Sequence, residues 1–96
     1  MPELRLVFSG KRNIKPIVEA ALQNELRLLE AGIRKTQKNL EKFEAKYKMD
    51  TNRFISDYAD GKISENLDYA EWIGEFRMLE RLADKSEALK SVHIED

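Results

Sequence analysis

The chain has no cysteine, one histidine, 2 prolines and 4 glycines in 96 residues. Without cysteine there is no disulfide framework, thiol nucleophile or thiolate metal site, and the cytoplasm is the expected compartment. The lone His93 sits beside Glu95 and Asp96, with none of the convergent partners that catalysis or metal binding requires. No catalytic residue, metal ligand or cofactor is therefore assigned, and the chain is not expected to be an enzyme. No apolar run approaches the ~18 residues of a membrane span, and no signal-like core opens the chain, so no membrane role is expected. Few glycines and prolines with 36% charged residues suit a helical chain and argue against a sandwich or barrel. A chain of this length fits one small domain burying about 60–65% of its unfolded surface.

What is present is a periodicity. Leu22, Leu26, Leu29, Ile33, Leu40, Phe43 and Tyr47 follow a 4-3-4-3 alternation with Thr36 in the remaining slot. That spacing marks a long helix whose narrow apolar seam faces another helix. Asn13 is placed to cap it and Pro16 falls in its first turn, where a missing N–H is harmless. The spacing predicts a helix from Ile14 to Lys48, roughly 50 Å long, supported by Glu30–Arg34 and Glu44–Lys48 at i,i+4. Gly32 lies inside it, either at a close backbone approach or at an inert exposed position. Asp50 or Thr51 caps a short helix to Tyr58, and Gly61 suits the left-handed stop after it. Asp68 with Glu71 has the form of a capping box for a third helix running to Ser91. Its apolar face is Tyr69, Trp72, Ile73, Phe76, Leu79, Leu82 and Ala83.

Ahead of these helices, Glu3 to Phe8 reads as a strand with Leu4, Leu6 and Phe8 on one face, ended by Ser9-Gly10. No second strand is predicted, and Val92 to Asp96 reads as a loose tail. An unpaired strand leaves a row of N–H and C=O groups open, which points to pairing in trans. The expected fold is mainly α: a long antiparallel, coiled-coil-like helical hairpin (residues 13–96) with a short connecting helix and an N-terminal strand arm (residues 1–12). The third helix is too short to cover the first, so a dimer through the leftover seam is expected. Its interface residues are Leu4, Leu6, Phe8, Leu22, Leu26, Leu29, Ile33 and Leu40.

Charge is unevenly placed: residues 1–53 carry 12 Lys and Arg against 7 Asp and Glu, net +5, and residues 54–96 carry 5 against 11, net −6. Two oppositely charged halves folding together explain this, as does a dipolar surface that steers a partner. The near-neutral total does not favour nucleic acid, although Arg34, Lys35, Lys38, Lys42, Lys46 and Lys48 form a local basic stripe. Ser9-Gly10-Lys11 is too short to count as a phosphate loop. Asp57, Asp60, Glu65 and Asp68 lack calcium-loop spacing and serve as turn and cap residues. Aromatic side chains gather on both sides of the turn, as a small core or as binding anchors. The anchor reading assigns partner binding to Tyr69, Glu71, Trp72, Glu75 and Phe76, with Gly74 allowing close approach.

The stretches Asn24-Glu25-Leu26-Arg27-Leu28-Leu29-Glu30, Phe43-Glu44-Ala45-Lys46-Tyr47-Lys48-Met49 and Asn66-Leu67-Asp68-Tyr69-Ala70-Glu71-Trp72-Ile73-Gly74-Glu75 resemble small helical antitoxin-like proteins of prokaryotic toxin–antitoxin modules. The resemblance covers about three quarters of the chain and implies a cytoplasmic, non-enzymatic binder that neutralises a small cognate toxin, an RNase being one possibility, by complex formation. It brings no catalytic residues. A structural homo-oligomeric coiled coil and a DNA-binding autoregulator are the competing expectations.

Overall fold

A computed structural model describes residues 4–7 and 14–95. In chain order the elements are β1 (Leu4–Val7), α1 (Lys15–Tyr47), α2 (Thr51–Ala59), α3 (Leu67–Lys90) and β2 (Val92–Glu95). The molecule is an elongated helical body of 60 × 22 × 17 Å, and no described helix is long and apolar enough to cross a membrane.

Helix α1 starts with Pro16 in its first turn, where its rigid φ suits the helix. Ile14 occupies the N-cap position without a side-chain cap, and the expected cap, Asn13, lies outside the described residues. The helix stops at Lys48, which takes a left-handed conformation (φ 50°, ψ 47°) while its N–H donates to the Glu44 carbonyl. Asp50 then caps α2, its Oδ1 accepting the Arg53 N–H at 2.8 Å. Glu44 spans the corner, its Oε2 accepting the Thr51 N–H at 2.8 Å. That bond replaces the expected Glu44–Lys48 pair, and Glu30–Arg34 is likewise not formed; the ion pairs present include Lys46–Asp68, Arg53–Asp57 and Lys62–Asp60.

Gly61 follows α2 at φ +72°, a conformation that costs a residue with a Cβ about 1 kcal/mol or more. Helix α3 begins two residues earlier than the Asp68 box implies. Asn66 is extended (φ −148°, ψ 174°), and its Oδ1 accepts the Tyr69 N–H at 2.8 Å. The cap belongs to Asn66 because it is the last extended residue, and Asp68 is thereby free to reach across to α1.

The pairing of α1 with α3 is antiparallel. Tyr47 meets Tyr69, Phe43 meets Trp72, and Gly32 meets Leu82, so a step forward on one helix is a step back on the other. The seam read from the spacing is the face that α3 covers: Leu29, Thr36 and Leu40 are buried, and Leu22, Leu26, Ile33, Phe43 and Tyr47 are half-buried. A Cβ on Gly32 would lie 3.3 Å from Leu82 Cδ1, so this glycine marks a close approach. A Cβ on Gly74 would meet nothing within 4 Å. Gly74→Ala is therefore expected to raise the unfolding free energy by up to about 1 kcal/mol through helix propensity alone, read as a shifted urea midpoint with unchanged slope.

The chain's two ends correct the sequence reading most. Val92–Glu95 is a strand, and it pairs with β1 in parallel, register Leu4↔Val92, Arg5↔His93, Leu6↔Ile94 and Val7↔Glu95. The arm is thus neither unpaired nor obliged to pair in trans, and the tail is ordered by it. A parallel pair needs a long crossover, and here the whole helical body serves as one. Leu6, Val92 and Ile94 are half-buried while Arg5, Val7 and His93 are exposed, as the period-2 alternation of a strand requires. Phe8 lies outside the described residues. Beyond the end of α3, β2 continues along the first turns of α1: Val92, His93 and Ile94 line one groove with Lys15, Glu19, Leu22 and Leu26. The part of α1 that α3 is too short to reach is therefore met by the chain's own second strand.

Candidate partner-binding surfaces

The aromatic cluster near the turn is a core. Trp72 and Phe54 are fully buried, and their rings stack at 3.9 Å with only 3° between planes. Phe43 and Tyr47 flank the indole at 5.6 and 5.8 Å, and Tyr69 tilts against Tyr47 and Phe54 at 5.1 and 5.2 Å. The indole Nε1–H donates to Thr51 Oγ1 at 3.0 Å, which satisfies the one polar atom that burying a Trp strands. Ring area and stacking make this the main fastening of α2 into the hairpin.

Of the five residues assigned to a partner, Trp72 is sealed inside, and this removes it as an exposed anchor. Tyr69 and Phe76 are half-buried and pack on the core. Only Glu71 is fully at the surface, with Glu75 half-buried beside it. These two carboxylates line a notch of about 370 Å³ with Asn39, Lys42, Phe43 and Lys46. Glu75 Oε2 is buried there without a hydrogen-bond donor. The i,i+4 spacing of the two acids was readable in the chain; that α1 supplies the opposite wall was not.

Asp68 organises the other side of this region. Its Oδ2 accepts from Lys46 Nζ at 2.5 Å and also from the Tyr47 hydroxyl. The hydrogen bonds from Lys46 and then Tyr47 hold the Asp68 carboxyl below the usual carboxylate range. Their bonds to Asp68 hold Lys46 and Tyr47 above their ordinary values. Since the folded pKa of Asp68 is depressed, its stabilisation is present above the unfolded value of about 3.9 and is lost as pH falls through the folded one. Asp68→Asn is expected to flatten that acid limb, read from urea midpoints between about pH 5 and pH 2. The raised Lys46 and Tyr47 act with the opposite sign, their contribution being complete below about pH 10 and lost as pH rises through their folded values.

Of the other acids around Gly61, Asp57 departs from the expected turn role and pairs with Arg53 inside α2, Asp60 is the C-cap residue of α2, and Glu65 accepts from the Tyr58 hydroxyl across the turn at 3.1 Å. That bond is the first cause of the raised Tyr58 pKa.

Leu29 and Leu40, assigned to a dimer seam, are covered by α3 of the same chain; they are 6% and 7% exposed. Open apolar surface lies elsewhere, at Val7, Leu67 and Met78 and along α1. Ile14, Ile17 and Leu28 are 36%, 67% and 60% exposed, and with the exposed Ala21 they fall on one side of α1 at 3.6 residues per turn. This second stripe adjoins the seam and is dominated by it in any periodicity count. The spacing of Ile14, Ile17, Val18, Ala21 and Leu22 already marks the early part of the helix as broader in its apolar face than the later seam, and Leu28, outside the seven-residue repeat, extends that face.

Comparison with family models, with curated proteins and with solved structures gives no match.

Proposed function

We propose that this chain is a non-enzymatic protein-binding module, antitoxin-like in operation, that holds a small cognate toxin in an inactive complex. The observation that carries the binding reading is the open stripe of Ile14, Ile17, Ala21 and Leu28. A helix already packed by its seam has no internal use for three further exposed branched side chains on a second face. Exposed apolar groups in line mark an interaction site more often when they are contiguous than when they are scattered. The antitoxin-like form of the reading rests on the resemblance of the Asn24–Glu30, Phe43–Met49 and Asn66–Glu75 stretches. A homodimer, with the seam already occupied by α3, would use this same stripe and so compete with the toxin for it.

Proteins of the kind it resembles are often encoded beside a small toxin, so the test is co-expression with a small open reading frame found adjacent to this one. The expected result is that the neighbour alone arrests growth, that this chain restores it, and that the two co-purify as a defined heteromer. Growth arrest that this chain does not relieve, or a mixture that sediments as separate species, overturns the proposal.

A further inference from the structure

Folding rearranges the charges that the sequence divides by halves. At 3.6 residues per turn, Arg27, Arg34, Lys35, Lys38 and Lys42 fall within about a third of the α1 circumference, facing away from Leu29, Thr36 and Leu40. Ala31 is the other residue of that stretch in the sector, and all six are exposed. The carboxylates of the same stretch, Glu30 and Glu41, point towards one flank. Arg27 bonds the neutral Asn24 amide at 2.6 Å, and the described ion pairs use none of the five cations. Two members of the stripe expected from sequence drop out: Lys46 is bound to Asp68, and Lys48 turns away at the left-handed end of the helix.

We propose that this ridge docks on the phosphate backbone of double-stranded DNA. It runs about 22 Å along a rigid helix, and Lys and Arg acting as point charges are the groups that supply affinity for phosphates. An acidic protein is the less fitting occupant, because protein interfaces deplete lysine and close over an apolar core, and the ridge offers only Ala31 within its sector and Leu28 at its edge. Single strands fit less well too, since no aromatic side chain stands on the ridge to stack bases. The narrow major groove of A-form RNA does not admit a helix, whereas that of B-DNA does. Screening lets the ridge act despite a net charge of −1: the body is 17 to 22 Å thick, against a Debye length of about 8–10 Å. The ridge adjoins the stripe of Ile17 and Leu28 along α1, but its affinity for phosphate rests on the five cations and does not depend on the protein-binding proposal.

The test is fluorescence anisotropy of a labelled random-sequence DNA duplex, titrated with the intact chain between about 50 and about 200 mM salt. Four to five phosphate contacts predict a log–log slope of about −4, so binding weakens about 10²-fold across that range. Combining Lys35→Gln, Lys38→Gln and Lys42→Gln is expected to bring the slope to between about −1 and about −2, with unchanged helical circular dichroism. Arg53→Gln with Lys62→Gln, off the ridge, is expected to leave it unchanged. The proposal is overturned by no retention at the lowest salt or by an unaltered slope in the triple variant. Tighter binding of single-stranded DNA, duplex RNA or a polyglutamate peptide than of duplex DNA also overturns it.

Discussion

Trp72→Ala is expected to lower the unfolding free energy by about 3–5 kcal/mol, the range for removing a large aromatic from a core. Several losses coincide at this position. The indole is fully buried between Phe54, Phe43 and Tyr47, and its removal leaves a cavity that three rings on two other helices cannot close by small rotations. Thr51 Oγ1, in a residue only 7% exposed, loses its donor from Nε1. Thr51 is the first residue of α2, so the fastening of that helix to α3 goes with it. For a domain of this size each kcal/mol is worth about 4–8 °C in Tm, so thermal and urea unfolding both read the effect easily. A loss under about 1 kcal/mol would mean that the stack is not a centre of cohesion. Trp72→Phe keeps most of the ring area and is expected to recover more than half of the loss.

The second large effect concerns binding and leaves the fold alone. Ile17→Asp combined with Leu28→Asp is expected to weaken the complex with the neighbouring gene product by at least about 10²-fold, since central apolar anchors are each worth about 2 kcal/mol or more. Both side chains are more than half exposed, so the stability of the isolated chain should change by no more than about 0.5 kcal/mol for each substitution. The contrast separates this surface from the seam: Leu29→Ala or Leu40→Ala should cost about 2–5 kcal/mol of stability. Calorimetric titration of the complex, paired with urea unfolding of the free variants, measures both sides. Full-affinity binding by the double variant would move the interface off this stripe.

The three helices were legible in the chain because their signals are local. The 4-3-4-3 spacing from Leu22 to Tyr47, the capping side chain of Asp50, and Gly61 at a left-handed stop each act within a few residues of where they are read. The aromatic cluster was also visible as a cluster, and its interior reading is the one the structure supports.

What the chain determined by itself, then, is helix, seam and turn, because i,i+3 and i,i+4 spacing and end-capping are properties of short segments. Tertiary structure alone decided the rest. Pairing of Leu4–Val7 with Val92–Glu95 joins segments at opposite ends of the chain, and two four-residue alternations carry no mark of each other until α1 and α3 bring them side by side. The same antiparallel packing chose which apolar face of α1 is covered and sealed Trp72. Each is a matter of which surfaces exclude water together, and that follows from the placement of whole helices, not from the order of residues within one.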